Sequence, residues 1–198
     1  MPEANPPKIG HHLIALAGTA LAAAAAQAAP SPDDRAATTE KAMHADERTT
    51  LTIGIMALPM FGDPLPKEAI LGAGYVAGIP RLGVPALTQT DASLGVAYVG
   101  GARKDGATAL PSGMAMGATW NAPLLEAAGA MIAGEAHAKG FNVLLAGGIN
   151  LVRDPRNGRN FEYLGEDPLH SGLLGGAAVA GIQSQHVIST VKHFALNG

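Results

Sequence analysis

Between residues 121 and 194 the chain alternates helix-like and strand-like segments at short, regular spacing, and this alternation restricts the fold more than any other feature. NAPLLEAAGAMIAGEAHAK (121–139) has Asn121 where a helix N-cap belongs, Pro123 in the first turn, Leu124, Ala128, Met131 and Glu135 at helical spacing, and Gly140 just beyond. FNVLLAGGIN (141–150) has the compact apolar content of a strand buried on both faces. HSGLLGGAAVAGIQSQ (170–185) is a second helix, and VISTVKHF (187–194) a second such strand. Helix, strand, helix, strand at this spacing predicts a parallel α/β sheet. With 47% hydrophobic residues among 198, the chain can bury a substantial core, as one domain or part of one.

Upstream, VPALTQTD (84–91) reads as a short strand ending in an acid, and LTIGIMAL (51–58) as a strand or a buried helical turn. GAGYVA (72–77) matches the dinucleotide pattern G-x-G-x-x-G/A, with Asp91 downstream at a ribose-binding distance. The context excludes it: Pro64 and Pro66 crowd the approach where a strand is needed, and Gly78 and Pro80 interrupt the helix that should follow. There is no P-loop and no H-E-x-x-H, and the seven histidines lack ligand spacing, so no metal or cofactor is expected. Zero cysteines exclude disulfides and a Cys nucleophile. The 13 Lys and Arg are scattered without a basic run, which excludes a phosphate-tracking surface, and no nucleic-acid partner is expected.

LIALAGTALAAAAA (13–26) is an uncharged run of fourteen, preceded by Lys8 and followed by Ala26-Gln27-Ala28. That is the pattern of a secretory h-region and cleavage site, and the run is short of the ~20 residues that a membrane span requires. Residues 1–28 are therefore expected to be a signal peptide that exports the chain to the periplasm or medium, the alternatives being an Ala-rich helix or an uncleaved anchor. Residues 29–50 follow as a polar, solvated lead-in.

DPRNGRNFEYLGEDP (154–168) places six charged side chains in fifteen positions of a chain that is only 15% charged. In parallel α/β proteins function gathers in the loops after the C-terminal strand ends. Asp91 closes one predicted strand, this stretch follows another after Asn150, and Lys192-His193 closes a third. Residues 154–168 therefore read as a site loop.

Together the segments RLGVPALTQTDASLGV, RDPRNGRNFEYLGEDP and VKHF closely resemble the N-terminal barrel domain of glycoside hydrolase family 3, the β-glucosidase and β-xylosidase family, over roughly residues 79–198. The resemblance implies that 51–198 form the first part of a (β/α)8 TIM-like barrel, with parallel strands alternating with helices and incomplete at the C-terminus, whose strand-end loops bind a terminal non-reducing sugar. It implies that Asp91 accepts hydrogen bonds from sugar hydroxyls and that Arg159, Lys192 and His193 donate to the same sugar. The chemistry agrees, since a carboxylate takes two hydroxyls and cationic or imidazole donors grip others. Structural readings stand beside these: Asp91 as a helix cap, Arg159 as ion-pair partner of Glu162 or Asp167, Lys192 as a solvated charge, His193 as a core imidazole. Glu162, Glu166, Asp167, Arg153 and Arg156 are expected to hold the loop.

Two departures stand out. Asp91-Ala92-Ser93 replaces the family's usual Asp-Gly-Pro, and KAMHADERTTLTIG matches the family's opening helix loosely. The nucleophilic aspartate and the acid/base glutamate that the family uses match nothing up to residue 198, so the rest of the barrel and later domains are the expected partners, and the chain by itself is expected to be inactive. The resemblance implies a retaining β-glucosidase of terminal β-D-glucosyl residues, because the segment reads KHFALNG and lacks the second histidine of the K-H-F-P-G-H-G typical of the family's N-acetylglucosaminidases; a β-xylosidase, or a non-catalytic sugar-binding fragment, is the alternative. In a regular strand Lys192 and His193 face opposite sides, so their joint role implies a distorted or cis linkage.

Overall fold

The computed structural model describes residues 29–59, 64–97, 101 and 103–197; the expected signal peptide lies outside them. Two helices, α1 (Pro32–Lys41) and α2 (Ala45–Thr52), precede β1 (Gly54–Ile55), β2 (Gly74–Val76) and β3 (Leu87–Asp91). Then come the one-turn helix α3 (Gly113–Gly117), α4 (Ala122–Ala138), β4 (Val143–Leu145), α5 (Pro168–Ser184) and β5 (Ile188–Ser189). No helix among the described residues is long and apolar enough to cross a membrane.

The five strands form one sheet in sequence order. β3, β4 and β5 pair in parallel, as the alternation predicts, but β1–β2 and β2–β3 are antiparallel. The expectation of parallel strands throughout is thus corrected to a mixed sheet, and for β2–β3 the reason is the connection. Residues 77–86 hold only one 3-10 turn, Pro80–Leu82, whereas a parallel crossover needs a dozen or more residues and usually a helix. α4 and α5 supply such crossovers for β3–β4 and β4–β5. GAGYVA falls within and around β2, as the exclusion of the dinucleotide reading requires; a Cβ on Gly72 would lie 2.5 Å from the Gln89 carbonyl and 2.8 Å from the Phe141 ring.

Both long helices start on side-chain caps. Asn121 Oδ1 accepts from the Leu124 amide at 3.1 Å, and Asp167 Oδ1 from the His170 amide at 2.7 Å. Gly140, at φ 90°, ends α4 in a conformation a side chain disfavours. Two glycines, one on each helix, serve contact: a Cβ at Gly181 of α5 would stand 2.0 Å from the Glu126 carbonyl oxygen of α4, and one at Gly129 of α4 would stand 2.2 Å from the Ala178 carbonyl oxygen of α5. The two helix backbones touch there. The resulting pair covers a core of Ala92, Ile132, Ala133, Ala136, Phe141, Leu144, Ala146, Ile182 and Val187.

Residues 29–50 are mostly exposed, yet largely helical. Ser31 and Asp34 form a capping box on α1, and Arg81 ties α2 to the sheet through Glu47 Oε1 at 2.6 Å and the Ala42 carbonyl at 2.9 Å. The segment LTIGIMAL divides: its start completes α2, Gly54–Ile55 form β1, and Ala57 and Leu58 are buried.

Candidate functional site

The polar site lies where β3, β4 and β5 end. Along β3, Thr88 and Thr90 are buried while Asp91 emerges at the last position. Lys192 lies beyond the regular part of β5, bridged to Gly148; its amide donates to the Gly147 carbonyl at 3.1 Å, and its own carbonyl accepts from Ile149 at 3.1 Å. That seating brings Lys192 Nζ to 3.2 Å from Asp91 Oδ1, so ends of two different strands meet in one ion pair. The sequence reading carries the strand to Phe194, whereas regular pairing stops at Ser189, and the Lys192–His193 peptide is cis.

The charged loop 154–168 is mostly self-holding. Asp154 accepts from the Arg156 amide at 2.9 Å and its guanidinium at 2.7 Å; Asn157 Oδ1 accepts from the Arg159 amide at 3.0 Å; Asn160 Nδ2 donates to the Asp154 carbonyl at 2.8 Å. Asp167 is spent on the α5 cap. Arg156, Glu162 and Asp167 thus hold the loop as expected, while the side chains of Arg153 and Glu166 make no hydrogen bond or ion pair among the described residues. Arg159 is gripped by Glu162 on two oxygens, at 2.6 and 2.8 Å. This bidentate contact holds the Glu162 carboxyl below its usual range and raises the guanidinium. Glu162 is consequently ionised near neutral pH.

His193 sits behind Arg159. Its Nε2 is 2.9 Å from Arg159 Nη2; because a guanidinium only donates, that nitrogen must accept, which places the ring proton on Nδ1. Nδ1 faces Asn150 Oδ1 at 3.3 Å and the Tyr163 hydroxyl at 3.4 Å. Burial, followed by the positive charges of Arg159 and Lys192, pushes the imidazole below its ordinary value, so it is neutral at pH 7. Asn150 also takes the His193 amide at 2.5 Å and returns a hydrogen bond to its carbonyl at 3.0 Å, and Asn197 Nδ2 donates to the Tyr163 hydroxyl at 2.6 Å.

A cleft of about 530 Å³ opens on these groups. Its charged lining comprises Asp91, Arg159, Glu162 and Lys192, its apolar lining includes Leu94, Val96 and Ala97, and the half-exposed Phe161 ring also borders it. All four predicted site residues are brought together, three on the cleft wall and His193 as the support of Arg159. Where the sequence departs at Ala92-Ser93, Ala92 is buried, the Ala97 amide closes the turn on the Asp91 carbonyl at 2.8 Å, and Ser93 Oγ lies 3.5 Å from Glu162 Oε2. Sequence reasoning missed Asn150, Tyr163 and Asn197. Asn150 carried a signal, since it ends its apolar run as Asp91 does.

Residues 69–198 match the profile of the glycosyl hydrolase family 3 N terminal domain. The chain belongs to glycosyl hydrolase family 3. The family 3 segment is 42% identical over 123 residues to a beta-glucosidase of Rhizobium radiobacter, covering 60% of this chain and 15% of that protein. It is 40% identical over 123 residues to a probable beta-glucosidase I of Aspergillus niger, covering 62% and 15%. Among solved structures, beta-glucosidase 3B of Thermotoga neapolitana in complex with alpha-D-glucose superposes with a TM-score of 0.71 at 34% identity, over 80% of this chain and 22% of that one. DesR, a beta-glucosidase from Streptomyces venezuelae in complex with D-glucose, gives 0.69 at 32% identity, over 82% and 19%. The chain thus spans about a seventh of the length of the curated relatives it matches.

Proposed function

We propose that this family 3 segment grips the terminal non-reducing β-D-glucosyl residue of a β-glucoside on behalf of an exported, retaining β-glucosidase. The observation that carries the reading is the convergence of Asp91, Arg159 and Lys192 from three strand ends on one cleft. A monosaccharide presents hydroxyls in several directions, and a carboxylate beside two cationic donors meets them as both acceptor and donor. Fixed polar groups of this kind reject a sugar lacking the matching hydroxyl, because a buried group is then left unpaired. His193 reaches the same sugar by exchanging its contact with Arg159 for a hydroxyl. The relatives named beta-glucosidase support glucose over a pentose.

In this reading the sheet is the opening part of a (β/α)8 barrel, residues 1–28 are the export signal, and the nucleophile and acid/base come from sequence outside these 198 residues. Supporting the last point, both carboxylates of the cleft are committed to cations: Asp91 to Lys192 and Glu162 to Arg159. Retaining hydrolysis needs one protonated and one free carboxyl about 5–5.5 Å apart. The test is Asp91→Asn in the complete enzyme that carries this segment, assayed on an aryl β-glucoside. A fall in kcat/KM of about 100-fold, as the loss of two charge-assisted hydrogen bonds of ~1.5 kcal/mol each implies, supports the reading. Unchanged kcat/KM overturns it.

A further inference from the structure

The single tryptophan of the chain is placed where a core residue would not be. Trp120 is 76% exposed and has φ 52°, a backbone region that costs a bulky side chain energy and clusters at functional sites. One face of its indole is covered by the His170 ring, with centroids 3.9 Å apart and planes inclined by 37°. His170 is itself fixed, its Nε2 donating to the Gly117 carbonyl at 2.9 Å. The tryptophan is thus backed by one stacked ring and presents the other face outward.

Topology sets this platform at the sugar-binding end of the sheet. β3 and β4 run toward the cleft and α4 and α5 return from it, so the starts of both helices, with Trp120 and His170, lie at the end that carries Asp91 and Arg159. α3 joins the two places rigidly. A Cβ on Gly113 would stand 2.6 Å from the Glu162 carbonyl, and one on Gly117 would stand 1.9 Å from that of Leu164, so the helix preceding Trp120 is pressed against the loop that aims Arg159.

We infer that Trp120, backed by His170, is an accessory saccharide subsite that stacks a pyranose ring of a β-linked oligosaccharide whose chain is presented to the cleft; this rests on the sugar-binding reading above. An indole face accepts the apolar C–H face of a pyranose while its rim stays wet. The rim here is polar: the Asn121 Nδ2 has no partner among the described residues, and the Thr119 hydroxyl and Asn121 amide are already paired with each other at 3.3 Å, which holds the turn. With its Nε2 donating, His170 leaves Nδ1 as an acceptor for a hydroxyl.

Because Trp120 is the only tryptophan, its fluorescence reports on this site alone. The 198-residue chain is titrated with cellotetraose, followed by indole emission, and with D-glucose, followed by calorimetry. The expected result is a saturable emission change with cellotetraose that persists in Asp91→Ala, while Asp91→Ala abolishes the glucose heat. Trp120→Ala, followed by calorimetry, weakens cellotetraose at least 10-fold and leaves glucose within 2-fold. His170→Leu, which keeps Trp120, weakens the emission response several-fold. Glucose binding with an emission unmoved by cellotetraose overturns the subsite and spares the cleft reading. An emission change that depends on protein concentration without sugar overturns it in favour of self-association. Loss of both responses overturns the two together.

Discussion

At the scale of single residues, the site is a chain of orientation. Asn150 and Tyr163 hold His193, His193 and Glu162 hold Arg159, and Arg159 shares the cleft with Lys192 and Asp91. Glu162→Gln keeps the shape but weakens the charged grip, so Arg159 becomes free to turn; glucose affinity is expected to fall about 10-fold, the worth of one charge-assisted hydrogen bond, as measured by calorimetry. The pH dependence follows from two depressed pKa values. Both Glu162 and His193 bind their protons less readily folded than unfolded, so each contributes stability that is present at neutral pH and lost on acidification, His193 first as pH drops through the ordinary imidazole range and Glu162 later through the carboxylate range. The thermal midpoint is therefore expected to fall from pH 7 to pH 5, and His193→Gln to flatten that part of the profile. A profile unchanged by His193→Gln would contradict a depressed imidazole. Asp91, Lys192 and His193 stood out at predicted strand ends and Arg159 lay in the charge-dense loop, but it was the resemblance to glycoside hydrolase family 3 that singled out these four. Asn150 and Asn197 were not legible, because an asparagine between apolar segments looks the same whether it turns a chain or clamps a histidine.

At the scale of elements, the α4–α5 contact sets the distance between the loops that carry Trp120 and Arg159. Gly129 and Gly181 allow that contact, and no rotamer can relieve a Cβ that meets backbone 2.0–2.2 Å away. Gly181→Ala is expected to destabilise the chain by up to about 3 kcal/mol, the usual ceiling for overpacking, read as a shift in the denaturant midpoint. Gly172→Ala, at a helical position where the added Cβ meets nothing within 4 Å, is expected to be neutral or slightly stabilising. Equal effects at the two positions would contradict the close contact. The long elements were legible from capping and periodicity, and α4 begins where Asn121 predicts. Strand direction before β3 was not legible: β1 and β2 are two and three residues long, too short for a pattern, and the absence of a crossover helix in 77–86 argues only the sense of β2 against β3.

At the scale of the whole molecule, binding and hydrolysis are expected to separate. In the proposed reading Asp91, Arg159 and Lys192 grip a sugar, yet Glu162 is ionised and paired with Arg159 and Asp91 is paired with Lys192, so both cleft carboxylates among the described residues are already committed to cations. The 198-residue chain alone is expected to show no turnover of an aryl β-glucoside; hydrolysis abolished by Asp91→Ala would contradict this. The last strand β5 leaves one edge unpaired among the described residues, and nearby Ile188, Val191, Phe194 and Leu196 are exposed. Concentration-dependent association is therefore expected in light scattering, and a monomer with a sharp two-state melt would argue against it. The central claim is that Asp91, Arg159 and Lys192 form one glucose-gripping wall, and calorimetric titration of the chain with D-glucose tests it most directly. The account predicts saturable heat that Asp91→Ala and Arg159→Ala each abolish, with far-UV circular dichroism unchanged; glucose binding that survives both substitutions would contradict it.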